Sequence, residues 1–309
     1  RHVCLSLDGS TFHYELVFAL KPGIPDLKAV CSREYRSETL LVAPNLTARV
    51  LEFCKKHHLS CIDLNGRTWL RAEGLLIDRK PLPGRSFSYQ LEPRNIYAGK
   101  SGCIVRSLLT DRDKVWTQAE LVKRTRASSG MVSRLVQYFV SQSYLEKRSP
   151  REYVLSDFDG LLDGWSEADN FRRRCTTKYY AGPIGGVEEV ADKLQHWAEN
   201  ESVQIAFTQW LAAYQRCPYT EPAICSAYVE RLPDIVALES LGLRPVEEGG
   251  KVWLHVPKDE GVFWETHCGN NKRFKLASDA QVYVDLQKTG LRGPDAARAL
   301  REWKGFCRQ

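Results

Sequence analysis

The sequence predicts a mixed α/β protein with more than one domain. The chain has 309 residues, which is longer than one small domain. Strand-like and helix-like patterns alternate toward both ends, whereas helical patterns dominate the middle. Hydrophobic residues make up 43% of the chain and charged residues 27%, so it can bury substantial cores and is not disordered in bulk. We expect three domains, at residues 1–96, 97–170 and 171–309.

The N-terminal domain has the pattern of a sheet combined with helices. Residues 12–18 at first alternate apolar and polar side chains, as a half-buried strand does. A helical period covers residues 46–58, and strand-like runs follow at 60–64, 68–70 and 75–77. Asn65-Gly66 is a turn signal between two of these runs. These patterns predict an α/β domain.

The C-terminal domain returns to a mixed pattern. Helices are predicted at residues 187–200, 202–214 and 293–303, and strands at 223–229 and 252–256. The middle of the chain, in contrast, reads as three helices, a hairpin and a fourth helix.

A strong helix start signal stands at the centre of the middle domain. Thr117 and Glu120 have the spacing of a capping box, in which each side chain accepts a backbone N–H of the first turn. Trp116 precedes this cap and Leu121 occupies the fourth helical position, which is the spacing of a hydrophobic staple. We expect this helix to run to about Thr125. A short break with a serine cap then leads into a second helix at residues 129–142.

The second helix has one apolar face and one polar face. The apolar face carries Val132, Leu135, Val136 and Phe139. The opposite face begins with small residues, which let a helix approach base edges, and continues with Arg134 and Gln137. Arginine and glutamine pair bidentately with guanine and adenine in the major groove. Two strands around a basic turn follow at 144–155, in the position of a wing. The pattern predicts a winged helix-turn-helix that binds double-stranded DNA.

Charge supports this placement. Residues 112–153 hold nine basic and four acidic side chains, a balance of +5, whereas the whole chain has a net charge of +6 and a pI near 8.7. Clustered basic charge is the electrostatic footprint of a DNA-binding module. The predicted DNA-binding residues are Thr117, Gln118, Ser128, Ser129, Gly130, Ser133, Arg134, Gln137, Tyr138, Lys147, Arg148, Arg151, Arg172, Arg173 and Arg174. Two alternatives stay open: the module contacts only proteins, and the Arg172–Arg174 run is an ordinary solvated face.

Short motifs along most of the chain resemble one family. G-K-S-G-C-I-V-R-S-L-L (99–109), W-T-Q-A-E-L (116–121) and S-G-M-V-S-R-L-V (129–136) resemble the AbiEi-type antitoxins and related winged-helix regulators. L-V-A-P-N-L-T (41–47) and C-I-D-L-N-G-R (61–67) resemble the family's N-terminal segment, and L-G-L-R-P-V-E-E-G (241–249) and S-D-A-Q-V-Y-V-D-L (278–286) its C-terminal part. The resemblance implies a repressor of its own operon in a type IV toxin–antitoxin or phage-defence setting. This chain has Asn65-Gly66 where the family usually has G-N.

The N-terminal domain also offers a candidate enzymatic motif. Asp63 precedes Asp78-Arg79-Lys80, and a carboxylate followed by D-x-K is the layout of restriction-type nucleases, which hold a divalent metal. D-x-K triplets are common by chance, and Lys80 stands next to Pro81 at the end of the predicted strand. We therefore predict a restriction-endonuclease-like α/β domain without activity, and a protein that is not an enzyme and has no metal or cofactor. A metal-dependent nuclease is the second hypothesis and a protein-binding adaptor the third.

Composition and segment lengths bound the setting. No apolar run approaches the length of a membrane helix. The ten cysteines include no C-x-x-C pair, and we interpret them as reduced thiols, most of them ordinary buried residues. We expect a cytoplasmic protein whose partner is double-stranded DNA, with a homodimer as one assembly compatible with this role.

Overall fold

The computed structural model describes residues 2–7, 9–32, 38–80, 95–182, 185–264, 267–268 and 273–308. The fold is mixed α/β, as predicted. The chain divides into two compact units, of which unit 1 contains Arg1–Arg94 and Ser133–Pro150, and unit 2 contains Asn95–Val132 and Arg151–Gln309. One boundary between the units falls between residues 94 and 95, and residues 97–170 are divided between the two units.

Unit 1 is built on a six-stranded sheet whose strands follow one another in chain order. The strands are β1 His2–Leu7, β2 Ser10–Phe18, β3 Thr39–Ala43, β4 Ser60–Asp63, β5 Thr68–Ala72 and β6 Leu75–Arg79. β2, β3 and β4 are parallel, whereas β1, β5 and β6 join the sheet antiparallel to their neighbours. Parallel neighbours require crossover connections, and helices α1 Ile24–Cys31 and α2 Ala48–Lys56 provide them.

Alternation along the central strand divides the core of unit 1 between the two faces of the sheet. Leu41 packs with the buried residues of α1 and α2, among them Leu27 and Val50. Leu40, one residue earlier, packs on the other face with Tyr14 and Leu70. Successive side chains of a strand point to opposite faces, so the run of apolar residues in β3 fills both clusters.

Residues 95–155 carry the elements of the predicted DNA-binding module. They form α3 Gly99–Thr110, β7 Trp116–Thr117, α4 Gln118–Thr125, α5 Ser129–Ser141, β8 Leu145–Ser149 and β9 Glu152–Leu155. The three helices and the two strands around the basic turn lie where the sequence predicts them. The division between the units falls inside α5 and between β8 and β9.

The C-terminal end of α5 is attached to α2 within unit 1. The Thr47 hydroxyl donates to Gln142 Oε1 at 2.9 Å, and Arg49 Nε donates to the Gln142 carbonyl oxygen at 2.6 Å. The Arg49 guanidinium also stacks 3.8 Å from the centre of the Tyr144 ring. These contacts join chain segments that are far apart in sequence, which explains why residues 133–150 belong to unit 1.

Unit 2 contains a seven-stranded mixed sheet with the order β13-β10-β14-β12-β11-β16-β15. Its further helices are α6 Phe158–Ala168, α7 Phe171–Arg174, α8 Val187–Asn200, α9 Gln209–Tyr214, α10 Ile235–Leu241, α11 Asp279–Gln287 and α12 Gly293–Glu302. The strands are β10 Cys175–Ala181, β11 Ile205–Phe207, β12 Cys225–Val229, β13 Arg244–Val246, β14 Val252–Pro257, β15 His267–Cys268 and β16 Lys275–Leu276. A short 3-10 helix covers Glu260–Phe263. α3 is buried over most of its length against α6 and α11.

One predicted helix of unit 2 is wrong. Residues 202–214 divide into strand β11 and helix α9 instead of forming one helix. β11 pairs with β12 on one side and with β16 on the other, and all three of its residues are buried. In a short, fully buried run, every residue is apolar, so the spacing of apolar residues does not distinguish a strand from a helix. This ambiguity accounts for the error. The predicted helices at 187–200 and 293–303 and the strands at 223–229 and 252–256 are confirmed as α8, α12, β12 and β14.

Across the described ranges, the structure contains no helix with both the length and the apolar character needed to cross a membrane.

Candidate nucleic-acid interface

Helix α4 begins with the predicted capping box. The Thr117 hydroxyl accepts the Glu120 backbone N–H at 3.2 Å, and the Glu120 carboxylate accepts the Thr117 backbone N–H at 2.8 Å. The hydroxyl also donates to this carboxylate, at 2.8 Å. The backbone N–H and then the hydroxyl of Thr117 stabilise the ionised form, so the pKa of Glu120 is lowered. Strand β7 fixes the entry to the helix because Trp116 pairs with Tyr153 of β9.

Three polar residues around α4 that the sequence predicts to contact DNA make hydrogen bonds within the predicted DNA-binding module. Thr117 is committed to the capping box, and Gln118 donates from Nε2 to the Tyr153 hydroxyl at 3.2 Å. Ser128 caps α5 by accepting the Met131 backbone N–H at 3.3 Å. Between the helices, Arg126 adopts a left-handed conformation with φ 52° and ψ 26°. The structure therefore gives Thr117, Gln118 and Ser128 local structural roles.

Helix α5 presents the two faces that its sequence predicts. Val132, Leu135, Val136 and Phe139 are at most 2% exposed. On the other side, Ser129, Gly130, Arg134 and Gln137 are exposed, and Ser133 and Tyr138 are half-buried. A Cβ built on Gly130 would meet no atom within 4 Å, so the first turn has open space on its outer surface. The helix can therefore present small side chains in its first turn, followed by the guanidinium of Arg134 and the amide of Gln137.

Exposed basic and acidic side chains surround the turn between β8 and β9. Lys147 and Arg148 lie on β8 and Arg151 lies in the two-residue turn, and all three are exposed. Glu146 and Glu152 flank them and are also exposed. The three basic side chains can therefore reach an anionic partner without disturbing the core, although the two glutamates reduce the net charge.

The arginine run divides into two exposed residues and one anchored residue. Arg172 and Arg173, on α7, are exposed. Arg174 instead donates from Nε to Asp169 at 2.7 Å and also bonds Asp285 and the Tyr228 hydroxyl. Its predicted role as a phosphate contact is corrected, because the guanidinium is engaged inside unit 2 by two carboxylates and a phenol. Arg172 and Arg173 remain candidates.

Arg174 belongs to a buried polar network that the sequence analysis missed. Asp285, with no exposed side-chain surface, accepts the Tyr228 hydroxyl at 2.6 Å, Gln281 Nε2 at 2.7 Å and the Thr208 hydroxyl. Gln281 Oε1 in turn accepts Arg106 Nη2 of α3 at 3.0 Å. The network therefore links the sheet, α11 and α3 within unit 2.

Burial and neighbouring groups shift the pKa values of Arg174 and Tyr228 in this network. Burial opposes the charge of Arg174, but Asp285, Tyr228 and Asp169 together raise its pKa well above the usual value. Burial is the main reason that the pKa of Tyr228 is raised well above the usual value, so this hydroxyl stays protonated and donates a hydrogen bond to Asp285. Arg174 and Asp285 are 111 positions apart, and no local pattern in the sequence identifies such a pair.

The acidic residues of the candidate nuclease motif occupy separate strands. Asp63 ends β4 and Asp78 lies on β6, with β5 between them. The Asp63 carboxylate accepts the backbone N–H groups of Leu46, Asn65 and Arg67 at 2.9–3.1 Å, and thereby closes the turn after β4. Asp78 instead pairs with Lys55 at 2.6 Å. Among the described residues, no three His, Cys, Asp or Glu side chains are placed to hold a metal ion.

Comparison of the chain with protein-family models, with curated proteins and with solved structures found no match. The resemblance to the AbiEi-type antitoxins therefore rests on the short motifs quoted above.

Proposed function

We propose that this protein is a sequence-specific regulator that binds double-stranded DNA and has no enzymatic activity. The observation that carries the proposal is the outer face of α5, where Gly130 lies on an open first turn and Arg134 and Gln137 are exposed. A helix with this order of residues can enter the major groove at its small end and bring its longer side chains to base edges.

Exposed basic residues outside α5 support an anionic partner. Lys147, Arg148 and Arg151 flank or occupy the turn after β8, and Arg172 and Arg173 lie on α7. Lysine and arginine that neutralise phosphates add sequence-independent affinity and position a protein on the duplex, while base contacts provide the sequence preference. We assign these five residues to phosphate contacts and Arg134 and Gln137 to base contacts.

The biological setting that we propose follows from the family resemblance. AbiEi-type antitoxins act as repressors of their own operon, and short motifs in all three predicted domains of this chain resemble theirs. We therefore infer a cytoplasmic repressor of the toxin–antitoxin type, in which a homodimer would match a palindromic operator.

Duplex binding by the purified chain tests the proposal. Fluorescence anisotropy is measured with DNA from upstream of the gene and with a scrambled duplex of equal length, at several salt concentrations. Arg134→Ala and Gln137→Ala are each expected to cost roughly 1–3 kcal/mol on the specific site and less on the scrambled one. Arg298→Ala is a matched control, because it removes an exposed arginine from helix α12.

Two outcomes would contradict the proposal at different levels. Equal losses of affinity on both duplexes would show that Arg134 and Gln137 do not read bases. Absence of salt-sensitive binding to either duplex would exclude the DNA-binding function and would favour a protein-binding adaptor.

A further inference from the structure

The β1–β2 hairpin carries a pair of thiol and imidazole side chains that the proposed function does not use. Its antiparallel register places His2 opposite Glu15, Cys4 opposite His13 and Ser6 opposite Thr11. All six side chains are exposed. Residues two apart on a strand share one face, so these three pairs form a continuous polar strip.

Within this strip, the Cys4 thiol lies against an imidazole. Cys4 Sγ is 3.1 Å from His13 Nδ1, which is hydrogen-bonding distance for sulfur. The backbone ladder holds the pair, because Cys4 and His13 are direct cross-strand partners. Tyr14, on the opposite face, is 1% exposed and belongs to the core of unit 1. A slip of β1 by one residue would turn Val3 and Leu5, which pack against this core, to the outer face, so the register that joins Cys4 to His13 is strongly specified.

The other described cysteines have contrasting surroundings. Of the nine whose environment the structure describes, Cys4 alone is exposed, and Cys31 and Cys217 are half-buried. Burial raises the pKa of the Cys225 thiol to about 12, and burial is also the main cause that raises the pKa of Cys175 to about 12. A thiol must lose its proton to become a nucleophile, and buried thiols resist this loss. Cys225 and Cys175 therefore serve as internal controls that are expected to react slowly.

We propose that Cys4 and His13 form a base-assisted thiol that exchanges with low-molecular-weight disulfides. In this reaction, His13 Nδ1 takes the thiol proton while Cys4 Sγ attacks one sulfur of the disulfide. A new S–S bond forms, the original S–S bond breaks, and the leaving thiolate takes up the proton. The products are a mixed disulfide on Cys4 and one free small thiol, so no other oxidant is required. β1 is at the edge of its sheet, where a modifying group can attach without displacing core residues.

Site-resolved modification of the native, folded chain tests this proposal. The protein is incubated with oxidised glutathione, and the mixed disulfide on each cysteine is quantified over time by peptide mass spectrometry. We expect Cys4 to be modified first. His13→Gln is expected to slow modification of Cys4 by about tenfold, which is less than the roughly 10²–10⁴-fold effect of general bases in enclosed active sites, because both side chains face solvent.

A neighbouring histidine provides the matched control. His2→Gln makes the same change on the same face of the hairpin, one cross-strand pair away, and should leave the rate at Cys4 near the wild-type value. Thermal unfolding of each variant shows whether the hairpin is intact, as expected for exposed positions. The proposal is overturned if Cys4 reacts equally fast in His13→Gln and wild type, if both variants slow it equally, or if a half-buried cysteine reacts first.

Discussion

Arg126 has a backbone conformation that disfavours most side chains. It ends α4 in the left-handed region, with φ 52°, where helices commonly place glycine. This conformation costs a residue with a Cβ about 1 kcal/mol. Since Arg126 is exposed and follows Lys123 and Arg124 on the same helix end, we expect its side chain to contact phosphate. Arg126→Gly should raise the free energy of unfolding by about 1 kcal/mol and weaken duplex binding severalfold.

Denaturant unfolding and anisotropy on the same samples measure both effects. Ser202→Gly is the control, because Ser202 is exposed and left-handed with φ 54° but follows α8. It should gain stability similarly without a change in DNA affinity. If Arg126→Gly binds duplex DNA as tightly as wild type, Arg126 does not contact the nucleic acid.

At the scale of residues, local signals were predictable and long-range partners were not. Thr117 and Glu120 are three positions apart, and the backbone geometry of a helix start determines their contact, so the sequence alone identifies the capping box. Arg174 looks equivalent to Arg172 and Arg173 in the sequence. Its contacts with Asp285 and Tyr228 depend on the folding of the whole sheet, which no local pattern encodes.

At the scale of elements, we expect helix α7 to separate basic side chains that contact phosphate from the arginine that stabilises the fold. Replacing Arg172 and Arg173 together with glutamine should reduce the slope of log affinity against log salt by roughly one unit for each phosphate that is no longer neutralised. Arg174→Gln should instead lower the free energy of unfolding by about 3 kcal/mol, since Asp285 would stay buried with less compensation of its charge. Salt titrations and denaturant unfolding give the two measurements. A changed salt slope without a decrease in stability in Arg174→Gln would contradict the division.

The elements that the sequence predicts well have a clear period or a clear boundary signal. Helix α5 repeats its apolar residues with helical spacing, and α8 begins and ends where predicted. β11 has neither feature, because β12 and β16 cover both of its edges and its residues are uniformly apolar. Burial on several sides removes the alternation of apolar and polar residues, and predictions of secondary structure from sequence depend on that alternation.

At the scale of the whole molecule, the chain builds each unit from two separate segments. Unit 1 combines residues 133–150 with the described part of residues 1–94. The contacts responsible include Thr47 with Gln142, which are 95 positions apart. Sequence patterns give elements in chain order and therefore favour consecutive domains. The interleaved division depends on contacts that only the folded chain reveals.

The stability of the whole molecule should also depend on pH through one buried histidine. His255 is 1% exposed, with Nδ1 at 2.8 Å from the Thr177 hydroxyl and Nε2 at 2.7 Å from the Ser226 hydroxyl. A neutral ring satisfies both contacts, since one nitrogen donates and the other accepts. Burial, followed by the nearby positive charge of Arg174, lowers the pKa of His255 to about 3. Folding therefore excludes a proton that the unfolded chain binds below about pH 6.5.

The sign of the resulting pH dependence follows from this difference. The contribution of neutral His255 is fully present above about pH 6.5 and is lost as pH falls toward about 3. Between about pH 7 and about pH 4.5, wild type should lose roughly 2–3 kcal/mol of unfolding free energy more than His255→Gln does. The glutamine variant should be less stable at neutral pH but respond less to acid, because its amide does not titrate in this range. His196→Gln, an exposed change on α8, is the control for removal of a histidine. Parallel stability–pH curves for wild type and His255→Gln would show that protonation of His255 does not limit the stability of the fold in acid.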